Sequence, residues 1–212
     1  MVVDSKWVKR RKALIDAALV VLAERGLAGT RVEDVAQRAG ISTGHVLYYF
    51  ESKADLFLQT LHSIESDFRE NVRSGFDTMP LAADRWSWLL EVALPDGPGD
   101  VRLLLWLEAW ERAPRDERFA RELEKVESQW MELLCGVLHY GESTGEFHVR
   151  DLEGFAVWFS ALIDGLTIQV VTGSPTMDRA RMLEICHRIS NAELQWDVPV
   201  PSPSGPSAPP RP

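Results

Sequence analysis

Residues 30–53, TRVEDVAQRAGISTGHVLYYFESK, restrict the fold more than any other part of the chain, because they set cap, apolar stripe and breaker twice in quick succession. Thr30 reads as a helix N-cap with Glu33 as its capping partner three positions on, and Val32, Val35, Ala36 and Ala39 recur at helical spacing. Gly40 ends that helix, since glycine accepts the left-handed exit, and Ile41 is placed as an apolar plug. Ser42 then caps a second short helix opening at Thr43. Two short helices around a tight turn make a helix-turn-helix. A third helix starts at once behind Ser52, with Asp55 as capping partner.

On the second of these helices Val46, Tyr49 and Phe50 face the first, which leaves Thr43, Gly44, His45, Leu47 and Tyr48 pointing outward. That face begins with small residues and continues with an imidazole, a leucine and a phenol, a surface suited to a DNA major groove. The plainer reading is a tight hairpin inside an all-helical domain. Two placements of charge speak against it. Lys6, Lys9, Arg10, Arg11 and Lys12 precede the apolar stripe of the first helix, and Lys53 lies in a first helical turn, where it opposes the macrodipole unless a phosphate binds beside it.

The formal net charge of −9 looks unsuited to a DNA binder until it is divided along the chain. Residues 1–60 hold nine Lys/Arg against seven Asp/Glu, a balance of +2, and residues 61–212 hold 14 against 25, a balance of −11. Only one end is equipped to meet phosphate. With 45% hydrophobic residues the 212-residue chain has material for a substantial core, in one large or two small domains. Cys135 and Cys186 make no disulfide framework and fit a reducing cytoplasm. The apolar run 13–23 contains Asp16 and has no cleavage site. No uncharged segment reaches the roughly 18 apolar residues of a membrane span, so no membrane is expected as partner.

In chain order, a first helix over 6–25 presents Leu14, Ala17, Ala18, Val21 and Leu22, and Gly26 and Gly29 end it. The fourth helix, from 53 to about 74, presents Leu56, Thr60, Leu61, Ile64 and Phe68, and is the one long element leading out of the three-helix unit. It reads as a lever. Helices follow over 81–93, 101–113, 115–140, 151–171 and 176–195, the second of them apolar on every side and therefore central, with Gly141 and Gly145 breaking the chain after the third. Helix 151–171 has one apolar face through Phe155, Phe159 and Leu166 and another through Trp158, Ala161, Leu162, Gly165 and Gln169. The second face, joined by Met182, Leu183, Cys186 and Ile189 of the last helix, predicts a four-helix seam with a second copy. The expected fold is all-α: a DNA-binding unit at 1–53, a helical ligand-binding and dimerisation domain at 54–198, and a disordered or polyproline-like tail at 199–212 with seven of the twelve prolines.

Seven of the eight tryptophans fall beyond residue 80. Trp106 and Trp110 stand one helical turn apart and Trp130 lies on the neighbouring long helix, so the three can wall an apolar pocket, with Glu108 or Asp164 as polar anchor. Plain core is the alternative for each ring, and a cation cage the lesser possibility. Cys135 and His139, one turn apart, lack further partners at metal-like spacing, and no phosphate-cradling loop or nucleophile elbow occurs. No catalytic residue, metal or cofactor is expected.

By these residues the chain resembles the TetR family of one-component bacterial regulators. TRVEDVAQRAGIS, the STG that opens the second short helix, YYF and SK-DLF are similar to that family's DNA-binding signature, and Gly145, Phe147, Asp151 and ALIDGL at 161–166 resemble members with a choline-repressor-like C-terminal domain. The chain departs from the signature at Leu47, where many members have tyrosine, and Tyr48 stands ready for that role. The resemblance implies a homodimer that sets two recognition helices in successive major grooves of a palindromic operator, with a small, largely apolar or aromatic effector in the body releasing a repressor. It implies that Thr43, His45 and Tyr48 face bases or adjacent phosphates, while Lys53 and the amides near Thr30 and Ser42 hold the DNA backbone. Leu47 touches a thymine methyl or packs. A ligand-independent, nucleoid-type DNA binder and a small helical enzyme are the competing classes.

Overall fold

The computed structural model describes residues 5–196; the Pro-rich segment 199–212 and the Lys6 side chain lie outside that description. The fold is all-α, as expected, apart from one strand pair. Its helices are α1 (Ser5–Gly29), α2 (Val32–Ala39), α3 (Thr43–Tyr49), α4 (Lys53–Phe76), α5 (Ala82–Ala93), α6 (Val101–Arg112), α7 (Glu117–Thr144), α8 (Leu152–Val171) and α9 (Arg179–Glu193). A 3-10 turn at Ala113–Arg115 joins α6 to α7. β1 (Phe147–His148) and β2 (Gln195–Trp196) pair antiparallel, Phe147 opposite Trp196. Their rings meet edge to face at 4.8 Å, tying the end of α9 to the end of α7.

The helix-turn-helix forms where its sequence signals place it, with one capping exchange displaced. Thr30 does not cap α2: it is buried, and its hydroxyl donates to the Gly26 carbonyl at 2.7 Å. Arg31 holds the cap position instead, and Asp34 rather than Glu33 takes the free amide, that of Arg31, at 3.1 Å. The reason lies one turn earlier. Gly26, at φ 67° and ψ 173°, kinks α1 and leaves its carbonyl for Thr30 to satisfy. After α2 the left-handed Gly40 lets the Gly40 and Ile41 amides return to Gln37 and Ala36, at 3.2 and 3.0 Å. Ile41 is exposed rather than a plug. Gly141 does not break the chain either. It sits inside α7 against the Phe147 ring, which a Cβ there would overlap.

Apolar side chains gather in two clusters that do not divide at residue 53. The stripe of α1, Val35, Val46, Phe50 and Phe57 share one core with Leu105 and Ala109 of α6 and with Phe119 and Leu123 of α7. Phe57 and Phe119 stack at 6.0 Å across that junction. The second cluster lies in the body, around Trp86, Leu134, Phe147, Phe159 and Met182. Helix α6 packs against α1, α4, α7 and α8, so it is central, although Leu104 is exposed. The three-helix unit is therefore held by α6 and the head of α7 as well as by α4, which is not its sole connection to the body. Among the described residues α8 alone has the length and apolarity to cross a membrane; half of it is buried in the fold, and it contains Glu153 and Asp164.

Candidate DNA-reading surface and effector pocket

On α3 and its C-cap the inward set is Val46 and Phe50, both buried, with Tyr49 half-buried. Gly44, His45, Leu47 and Tyr48 are exposed, Tyr48 at 74%, and Thr43 is half-exposed at the helix start. Ser42 orients His45: its hydroxyl accepts the His45 amide at 3.4 Å and lies 3.1 Å from His45 Nδ1, so the outer ring nitrogen is directed away from Ser42. Trp7, 39% exposed, packs on Tyr49 at 5.6 Å and places the start of α1, with exposed Lys9 and Arg10, beside α3. Arg11 turns inward to Gln59 and over the Phe50 ring.

Two of the expected backbone contacts are placed elsewhere. Thr30 has its hydroxyl and its amide both on the Gly26 carbonyl, so it has nothing free for phosphate. The Lys53 ammonium, half-buried, donates to the carbonyls of Leu27 at 2.9 Å and Thr30 at 3.1 Å. Its position against the macrodipole is thereby accounted for without an anion, because two peptide carbonyls take its charge. Sequence spacing could not reveal this, since the partners lie more than twenty residues away.

The three tryptophans proposed for the pocket do meet, around a cavity of about 310 Å³ between α4, α6, α7 and α8. Trp106 and Trp110 lie 5.7 Å apart, and Trp130 pairs with Phe68 at 6.4 Å. Every indole N–H is already bound: Trp106 to Glu65 at 2.7 Å, Trp110 to Glu127 at 2.8 Å and Trp130 to Ser160 at 2.9 Å. The rings thus offer the cavity their π faces and edges but no donor. Asp164 lines the cavity as expected, and burial together with the nearby Glu127 charge pushes its carboxyl up to about 6. Arg102, the one cation of the lining, is bonded to the Ala93 carbonyl, lies 5.0 Å over Phe68 and is 4.0 Å from Glu65. Three carboxylates against one guanidinium leave the cavity with an excess of negative charge.

Glu108, the other anchor expected, is not in the cavity; it faces α1 and accepts the Leu27 amide at 2.6 Å. Sequence reasoning missed Glu65 and Glu127. A signal existed for each: Glu65 occupies the core register of α4 between Leu61, Phe68 and Val72, and Glu127 stands one turn before Trp130. A carboxylate on an apolar stripe calls for a buried partner.

The outward face of α8 is largely as expected, with Trp158, Ala161, Gly165 and Gln169 exposed and Leu162 half-buried; Val157 at 62% and Ile168 at 42% enlarge it. Nothing lies within 4 Å of a Cβ built at Gly165. On α9, Leu183 and Ile189 are half-buried, but Met182 and Cys186 are wholly buried in their own core, because α9 presents that side to α8 and α5. Those two residues are removed from the seam. His139 is exposed, and the Cys135 thiol is raised above its ordinary range by burial and the Glu153 charge, the reverse of what a nucleophile needs. Burial alone pushes Cys186 to about 12.

Comparison with known proteins matches residues 14–60 to "Bacterial regulatory proteins, tetR family" and residues 82–195 to "BetI-type transcriptional repressor, C-terminal". The HTH-type transcriptional regulator BetI of Rhizobium meliloti is 27% identical over 204 residues, spanning 92% of this chain and 95% of its own. The HTH-type transcriptional repressor KstR2 of Rhodococcus jostii is 30% identical over 142 residues, 65% of this chain and 68% of its own. Among solved structures, a transcriptional regulator from Saccharomonospora viridis in complex with choline superposes with a TM-score of 0.79 at 25% identity, covering 89% of this chain and 98% of that one.

Proposed function

Because the chain belongs to the TetR family of bacterial transcriptional regulators and has a BetI-type repressor C-terminal domain, we propose that it is a homodimeric repressor released from its operator by a small organic cation. The observation that supports this is the chemistry of the cavity: aromatic faces with every indole N–H occupied, and carboxylates at Glu65, Glu127 and Asp164. Such a lining attracts a cation through ring quadrupoles and charge and repels an anion. Its volume, near the lower end of the roughly 300–1,000 Å³ usual for ligand pockets, selects a small molecule. The sequence alone favoured a largely apolar or aromatic effector, with a cation cage as the lesser possibility; the carboxylates move that possibility to the front, as a cation with an apolar body. Choline, bound by the Saccharomonospora regulator, is the natural probe.

In this reading residues 1–53 form the DNA-reading unit and 54–198 the effector and dimerisation domain, joined through the shared core. Ser42, Thr43, Gly44, His45, Leu47 and Tyr48 meet the major groove of each half of a palindromic operator, and the α8 face with Leu183 and Ile189 meets a second copy. The protein works in the cytoplasm, where its two thiols stay reduced.

The test begins with DNA selected by the protein from a random pool. Choline and tetramethylammonium are then titrated against tryptophan emission and against the selected DNA complex, for the wild type and for Trp110→Ala. Quenching together with a 5- to 150-fold loss of DNA affinity, both weakened in Trp110→Ala, is expected. Quenching without any change in DNA affinity would defeat the regulatory reading, and an unaltered Trp110→Ala would defeat the pocket.

A further inference from the structure

Glu108 lies two positions from both Trp106 and Trp110 on α6, which puts it on the opposite side of the helix from those rings. There it reaches the joint between α1 and α2. Its Oε2 accepts the Leu27 amide at 2.6 Å, and its Oε1 lies so close over Gly26 that a Cβ there would stand 2.5 Å away. The backbone there, at φ 67° and ψ 173°, is one that glycine adopts without strain. From the other side Lys53 holds the carbonyls of Leu27 and Thr30, and Thr30 holds the Gly26 carbonyl with both its amide and its hydroxyl. Residues 26–30, from which α2 departs, are thus gripped between the pocket helix and the head of α4.

We propose that Glu108 is the positioning residue that ties the effector pocket to the recognition helix. The inference rests on the pocket reading above and adds the route by which occupancy is felt. A ligand that parts Trp106 and Trp110 from Trp130 turns or slides α6, and a short charge-assisted hydrogen bond on the far side of the same helix obliges the 26–30 joint to follow. α2 and α3 hang directly from that joint, so the recognition helix is re-aimed without any ligand contact of its own. Helix α4 shares the load through Lys53.

The experiment compares Glu108→Ala, which removes the acceptor, with Glu108→Gln, which keeps one oxygen for the Leu27 amide. In the wild type, choline is expected to lower affinity for the selected DNA by 5- to 150-fold. In Glu108→Ala that factor falls towards one while choline quenches tryptophan emission with an unchanged midpoint, and Glu108→Gln restores most of the factor. A purely structural brace would lower stability in Glu108→Ala but leave the factor intact, and that result overturns the proposal. If choline neither quenches nor shifts DNA binding in the wild type, the pocket reading has failed, and the route is tested by changing the pocket's own charge. Glu127→Gln is introduced into the wild type and into Glu108→Ala, and amide exchange is followed over residues 32–49. A change in the wild type that is absent in Glu108→Ala supports the route. Equal behaviour in the two backgrounds, no change in either included, overturns it.

Discussion

Asp164 is the residue whose chemistry most directly reports the pocket. Its carboxyl is raised to about 6 by burial and by Glu127, so it is largely protonated at pH 5 and largely ionised at pH 7. A cationic ligand prefers the ionised form; its affinity therefore rises with pH through about 6 and then levels off. Asp164→Asn should flatten that profile, and calorimetric titration of choline between pH 5 and 8 in both proteins checks it. The same shift has the opposite sign for stability. A raised carboxyl pKa stabilises the fold below the unfolded value near 3.8 and loses that contribution as pH rises through 6. Asp164→Asn should then gain roughly 1–2 kcal/mol at pH 7 after allowance for screening at the open side of the cavity, visible as a higher Tm.

Two cationic or titratable side chains at the DNA end separate by what they touch. His45, held by Ser42 with its outer nitrogen free, should contribute about 1–3 kcal/mol of base discrimination, so His45→Ala relaxes sequence preference. Comparable losses on cognate and scrambled DNA would contradict that role. Lys53→Ala instead removes hydrogen bonds to two carbonyls and should lower the unfolding free energy by about 2 kcal/mol, measured by urea titration, together with any effect on DNA.

At the scale of elements, α8 faces two ways. Phe155, Phe159 and Leu166 fill the body core, while Val157, Trp158, Ala161, Gly165 and Ile168 are turned to the outside. A ring of that size exposed beside a glycine with open space above it fits close approach of a second α8. Gly165→Trp fills the space and should convert the dimer to monomer at micromolar concentration by sedimentation, with the helical circular dichroism signal retained. A wild type already monomeric at that concentration, yet tight on a palindrome, would contradict the seam. Helix α6 also faces two ways, with indoles to the cavity and Glu108 to the α1–α2 joint, which gives a short helix a place in both halves of the molecule.

Over the whole molecule, charge and geometry divide the labour. In the proposed dimer the acidic body would keep DNA to one end and each subunit would bring one recognition helix, so tight binding would need two half-sites on the same face of the duplex. Inserting about 5 bp, half a helical turn, between the half-sites of the selected DNA should drop affinity towards that of one half-site in a gel-shift titration. Retained affinity would mean that the two recognition helices are not held at a fixed spacing.

What the sequence determined by itself is local. Caps at Ser42 and Ser52, the left-handed Gly40, and the inward and outward faces of α3 and α8 depend on neighbours within one or two turns, and such signals survive in one dimension, whereas the caps at Asp116 and Asp178 were revealed by the structure. The tryptophans of the pocket were legible as well, because helical spacing sets Trp106 beside Trp110. Only the tertiary structure decided which carboxylates share that cavity. Glu65 and Glu127 come from helices whose relative rotation no local pattern specifies, and Glu108, equally plausible by spacing, is turned to Leu27. For the same reason Lys53, Thr30, Met182 and Cys186 were assigned outward roles and proved to be inward. A buried polar group or a packed thiol is defined by its partners, and here the partners are set by how helices distant in sequence pack.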